Sequence, residues 1–169
     1  MGAAFGRVVA VTDVSGVDLV RHPVRVTSVR AATASDLVTI AALDPDSTPG
    51  RLSRLQRLLT ESPGCLLVAV DDDQPGTSVV GYVAMEASAF FGRDFIELLV
   101  VREGYRRRGV GTALLVSVRS EATSPTVFTS TNESNVPMRA LLKHDGWTLS
   151  GRLTGLDEDD PELVFYRSL

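Results

Sequence analysis

Arg106-Arg107-Arg108-Gly109-Val110-Gly111-Thr112 places three guanidinium groups, two glycines and a hydroxyl within seven residues. The apolar run Leu98-Leu99-Val100-Val101 precedes it and Ala113-Leu114-Leu115 follows, so the order predicted is strand, turn, helix. The first amides of a helix lack internal acceptors and sit at the positive end of its dipole, where an anion is stabilised. Without a Cβ, Gly109 and Gly111 let the backbone form a concave nest of N–H groups and let a phosphate approach closely. The arginines add positive charge and Thr112 a further donor. The chemistry expected of this turn is pyrophosphate binding.

Two familiar phosphate loops are excluded by single residues. Gly104 and Gly109 have the separation of a nucleoside-triphosphate loop, but Val110 stands where the phosphate-binding Lys belongs. A dinucleotide fingerprint requires a third glycine where this chain has Leu114, and no repeated strand-helix units precede it.

A second segment supports the first. Ser134 or Asn135 can cap a helix in which Pro137 suits the first turn and Met138, Leu141 and Leu142 form an apolar stripe, with Gly146-Trp147 at its close. Together, Leu-Val-Val, Tyr105, the Arg-x-x-Gly-x-Gly core from Arg106 to Gly111, and the Asn135 to Gly146-Trp147 segment resemble the coenzyme A motifs of the GNAT superfamily of N-acyltransferases. The resemblance covers residues 24 to 167.

That resemblance implies an α/β fold with a central mixed sheet, helices on both faces, and a splay between the fourth and fifth strands. It implies acetyl-CoA as co-substrate, with Leu99, Val100 and Val101 on the opened strand meeting the pantetheine arm. Arg106, Arg107, Arg108, Gly109, Val110, Gly111 and Thr112 would hold the diphosphate, and Asn135 would complete the coenzyme site. The N–H of Val101 would face the thioester carbonyl and stabilise its developing negative charge.

An alkylammonium with a pKa of about 10 must lose a proton before attack. Glu97 is the candidate base, because in a regular strand it shares a face with Leu99 and Val101. Glu133, Asp94 and Glu86 are weaker alternatives, and His144, beside Lys143 and Asp145, reads as a surface residue. The chain departs from the family at Leu142, where many members carry the Tyr that serves as general acid. Ser134, Tyr166 or water would have to replace it.

The elements positioning these residues follow from periodicity. A strand around Val24, Val26 and Val29 leads to a helix from Ser35-Asp36 to Leu43, and a second helix carries Leu52, Leu55, Leu58 and Leu59 on one face. Residues 66–70 and 79–87 read as a hairpin joined by the turn at 71–76, whose adjacent aspartates cannot readily converge on one ion. No metal is expected. Strands at 95–101, 127–130, 148–153 and 162–167 alternate with helices at 111–120 and 134–145. The predicted order is β-α-α-β-β-β-α-β-α-β-β. The acceptor region is bordered by Arg51, Arg54 and Asp44-Pro45-Asp46, while the acidic turn from Asp157 to Asp160 offers attraction for a cationic amine.

Composition bounds the rest. With 169 residues, 44% of them hydrophobic, the chain suits one compact domain from 23 to 169 behind an N-terminal extension at 1–22. A net charge of −4 argues against general nucleic-acid binding. The single Cys65 and the lack of a long apolar run lead to the expectation of a cytoplasmic protein with no membrane partner. A small-molecule or peptide amine is the expected substrate, and C-terminal strand edges suit a homodimer. Two other readings stay open: a catalytically silent acyl-CoA-binding module and an unrelated phosphate-ligand binder.

Overall fold

The computed structural model describes residues 28–44, 48–60, 64–71 and 78–169. The readings made on residues 1–22, Val24, Val26, Pro45-Asp46 and most of the 71–76 turn lie outside the described residues. Seven strands form one sheet: β1 (Ser28–Ala31), β2 (Gly64–Asp71), β3 (Ser78–Phe90), β4 (Arg93–Val101), β5 (Thr126–Asn132), β6 (Thr148–Leu153) and β7 (Glu162–Ser168). The helices are α1 (Leu37–Leu43), α2 (Pro49–Thr60), α3 (Val110–Ser120) and α4 (Val136–His144). Their order along the chain is the one that periodicity predicts.

Across the sheet the strands run β1-β2-β3-β4-β5-β7-β6, and β4–β5 is the parallel pair. The β3–β4 hairpin is longer than expected, because it closes in two residues. Phe91 and Gly92 both take positive φ, 50° and 74°, the twist that lets paired strands continue up to a tight turn.

Alternation along the strands sorts the core onto two faces. On one, Val110, Leu114, Leu115 and Val118 of α3 and Met138 and Leu142 of α4 pack against Val83, Ile96, Leu99, Val127 and Phe165. On the other, Ile40 of α1 and Leu55 of α2 pack against Val68, Tyr82, Leu98 and Val100. Burying each such side chain contributes about 1.5–3 kcal/mol, which anchors the helices to opposite sides of β4.

The feature that matters for function is a tear in the sheet. β4 and β5 pair only at Asp94–Val127, Phe95–Phe128 and Ile96–Thr129, and the Thr129 hydroxyl donates to the Ile96 carbonyl at 3.0 Å. Beyond that point β4 continues with β3 to Val101, while β5 continues with β7 to Asn132. The sheet therefore splays between its fourth and fifth strands. Among the described residues no helix is long and apolar enough to cross a membrane.

Candidate active site

The turn after β4 delivers an open helix N-terminus. Gly109 precedes α3 with φ 84°, a left-handed conformation that a side chain at this position would strain, and nothing lies within 4 Å of where its Cβ would be. As it has no side chain, it cannot cap the helix. Among the described residues, no backbone acceptor outside the helix takes the N–H of Gly109, Val110, Gly111 or Thr112. This is the arrangement that attracts an anion.

Gly111 has a packing reason for being glycine. A Cβ there would lie 2.8 Å from Cδ2 of Leu141, so Gly111 lets α4 pack against the start of α3. The arginine triplet also divides. Half-buried Arg106 uses its Nε to donate to the Val101 carbonyl at 3.1 Å, tying the turn to the end of β4, whereas Arg107 and Arg108 stay exposed. The guanidinium of Arg108 lies 5.6 Å from the Tyr105 ring centroid, and the Tyr105 hydroxyl donates to Asp71 at 2.7 Å.

The backbone of β4 presents its own donors to the splay. Arg102 N–H donates to Val80 O at 2.8 Å, so the Gly81–Val101 pair is the kind whose N–H and C=O groups point away from each other. Val101 therefore turns its amide away from β3, and by alternation so does Leu99. β5 has already departed at this level. Val100 does not join them, contrary to expectation: its backbone faces Tyr82 of β3 and its side chain enters the α2-side core.

Glu97 sits where pairing with β5 ends, and its orientation differs from the one predicted. The register jumps from Ala84–Leu98 to Met85–Ile96, which leaves Glu97 as the extra residue of a β-bulge. A bulge breaks alternation and re-aims side chains. Glu97 and Leu98 both turn toward α2, while Leu99 and Val101 stay on the α3 side.

On the α2 side Glu97 belongs to a three-residue ionic cluster. Arg54 of α2 donates from Nε and one terminal nitrogen to Glu86 at 2.8 and 3.0 Å, and its guanidinium also bonds Glu97. Glu97 is only 3% exposed. Burial raises its carboxyl pKa to about 7, with Arg54 opposing the rise and the neighbouring Glu86 adding to it. The Arg54 hydrogen bond holds Glu86 below the ordinary carboxylate range. A carboxyl with a pKa near 7 exchanges a proton readily near neutrality.

Other expected site residues also make contacts within the fold. Asn135 is buried, with Oδ1 accepting from Met138 N–H at 3.2 Å and Nδ2 donating to the Thr131 hydroxyl at 2.9 Å, so its side chain caps α4. Leu142, at the position of the missing Tyr, is completely buried in the α3-side core. Asp94 receives N–H bonds from Ser88, Thr123 and Ser124 and locks the β3–β4 hairpin to the α3–β5 connection. In the acidic turn, Asp157 accepts from Asn132 and Asp160 from Ser134, which pins the β6–β7 connection, while Glu158 and Asp159 are exposed. Arg51 pairs with Asp44 at 2.7 Å and joins α1 to α2. Glu133 pairs with exposed Arg152 at 3.1 Å, and His144 is exposed at the end of α4. The role of Arg54 as bridge between Glu86 and Glu97 has no local signal; the three residues lie on separate elements.

Comparison with known proteins fits this geometry. The sequence model of the Acetyltransferase (GNAT) family matches residues 33–147, more than half of the chain. A GNAT-family acetyltransferase structure from Bacillus cereus ATCC 10987 is similar at 29% identity and a TM-score of 0.73, over 83% of this chain and 96% of that one. Arabidopsis thaliana NAA60 in complex with acetyl-CoA shares the fold at 20% identity and a TM-score of 0.72, over 84% of this chain and 99% of that one. Ribosomal-protein-alanine N-acetyltransferase from Brucella melitensis does so at 19% identity and a TM-score of 0.67, over 84% and 99%. Among curated proteins, none matches the chain closely enough to be taken as a relative. With the torn sheet, the open α3 terminus and the family match in agreement, the chain belongs to the GNAT acetyltransferase family.

Proposed function

We propose that this protein transfers the acetyl group of acetyl-CoA to a primary amine by direct attack, with Glu97 as general base. The observation that carries the reading is the position of Glu97: a buried carboxyl with a pKa of about 7, at the point where β4 leaves β5, two and four residues before amides that face the gap.

The donor fits what the residues offer. Amides from Gly109 to Thr112, with the charge of Arg107 and Arg108, suit a diphosphate, and the stretch of β4 that lacks a neighbour suits an extended amide-bearing arm. The acetyl-CoA bound by the Arabidopsis neighbour supports the same choice. Leu99 would hold the arm through its backbone, and the Val101 N–H would donate to the thioester oxygen as negative charge develops there. The bulge puts Glu97 on the α2 face, so the amine would approach from that side. Glu97 would take its proton directly or through one water.

The departing thiolate has a pKa of about 8.5, so it requires less proton assistance than an alkoxide. Catalysis therefore does not depend on a Tyr at the position of Leu142. Ser134, whose hydroxyl is engaged by Asp160 at 2.7 Å, Tyr166 or water would supply any proton needed.

Thermal unfolding with acetyl-CoA, coenzyme A, ATP and NAD, followed by thiol release across a panel of amines, tests the reading. Acetyl-CoA at a hundred times its Kd should stabilise the fold by about 2.7 kcal/mol. ATP and NAD should not. Stabilisation without thiol release on any amine would establish a silent coenzyme-binding module, and equal stabilisation by ATP an unrelated phosphate binder.

A further inference from the structure

On the α2 face, the cross-strand pairs Glu86–Phe95, Phe95–Phe128 and Phe128–Tyr166 set one row across β3, β4, β5 and β7. Carboxylate chemistry ends the row on one side and aromatic rings fill the rest. Phe90 covers the rings of the row, with its centroid 5.3 Å from Phe95 and 5.0 Å from Phe128; Phe128 lies 6.0 Å from Tyr166. Phe91 meets Phe90 edge-on at 5.0 Å and is 92% exposed. Phe90, Phe128 and Tyr166 are half-buried. Helices α1 and α2 pack over β2 and β3 on this face.

We propose that this row is the acceptor platform, and that the acceptor is a small arylalkylamine whose ring lies against Phe90, Phe128 and Tyr166 while its nitrogen reaches Glu97. The inference rests on Glu97 being the base. Continuity with that carboxylate decides the occupant: Phe95 lies two strand residues from Glu97, about 7 Å, and adjacent strands are about 4.8 Å apart. The row thus begins beside Glu97, and an aryl group on a two-carbon linker extends from a nitrogen there toward Phe90 and Phe128. The charges agree as well. Two carboxylates face the single guanidinium of Arg54, so the cluster is net acidic once Glu97 ionises and attracts an ammonium, as do ring faces, while an aryl group removes apolar surface from water. A polar polyamine would answer that net charge and leave the rings wet.

Steady-state acetylation of 2-phenylethylamine, propylamine and ethanolamine tests this at fixed, saturating acetyl-CoA. The native protein should prefer 2-phenylethylamine in kcat/KM by about tenfold or more over either small amine, the scale set by apolar pocket contacts. Phe128→Ala should shrink that ratio about fivefold, and Phe128→Leu, which keeps the volume, should shrink it less. Acetyl-CoA binding by each variant reports that the fold is intact. Equal kcat/KM for the three amines, with acetyl-CoA bound and thiol released, would overturn the platform alone. Absence of acetyl-CoA binding or of transfer to any amine would instead overturn the acetyltransferase reading beneath it. A dimer that Phe91→Asp dissociates, with no aryl preference, would assign the rings to a contact between copies and likewise overturn the platform.

Discussion

The two sides of the open stretch of β4 are built on opposite principles. On the α3 side the site consists of backbone: amides left over at a helix start and on a strand that has lost its neighbour, beside exposed arginines. On the α2 side it consists of side chains, with one arginine held between two carboxylates under a helix. The first stabilises negative charge by what it leaves unpaired, and the second tunes a proton affinity by what it pairs and buries. Donor binding and proton removal are thus separable, and substitutions on one side should leave the other's property in place.

The sharpest test of that separation is Glu97→Gln. Loss of a general base lowers turnover by about a hundredfold or more, while acetyl-CoA affinity, measured by calorimetry, should stay within about twofold. The converse substitution is Gly109→Ala. Forcing an L-residue into the left-handed region costs about 1–2 kcal/mol, so relief of that strain by rearrangement of the turn should weaken acetyl-CoA binding by about tenfold. The acid limb of the rate profile should not move.

Within the ionic cluster the signs are opposite for the two partners. Arg54 lowers the Glu97 pKa, so Arg54→Ala should move the acid limb to higher pH and reduce kcat/KM at pH 7 about fivefold. Glu86→Gln removes a neighbouring negative charge and should move the same limb to lower pH. Smallest of all, Arg108→Ala removes one exposed charge from the anion site and should weaken acetyl-CoA binding about twofold, an effect that vanishes at high salt.

The same division governs what the chain discloses before folding. The order of elements, the α3 turn and the capped α4 were legible because each depends on residues close in sequence: Gly109 before an apolar run, or Asn135 three residues ahead of Met138. The splay and its exposed amides came through resemblance, not periodicity. Contacts that depend on distant partners are not legible in the sequence. Glu97 turns to the opposite face because β4 bulges against β3, and no residue type in Phe95-Ile96-Glu97-Leu98 announces that bulge. Gly111, expected at the ligand, also carries a packing contact, with Leu141 thirty residues on. Asn135, expected at the coenzyme, has a side chain bonded to Thr131 and to the first turn of α4. Arg54 was a border residue until the fold set it between Glu86 and Glu97.

The pH dependence of kcat/KM for amine acetylation, recorded on the native protein and on Glu97→Gln, is the experiment to perform first. The native profile should rise with an inflection near pH 7 as the Glu97 carboxyl ionises, and that inflection should be absent from Glu97→Gln. The same inflection in both proteins would place the proton on another group and contradict this mechanism.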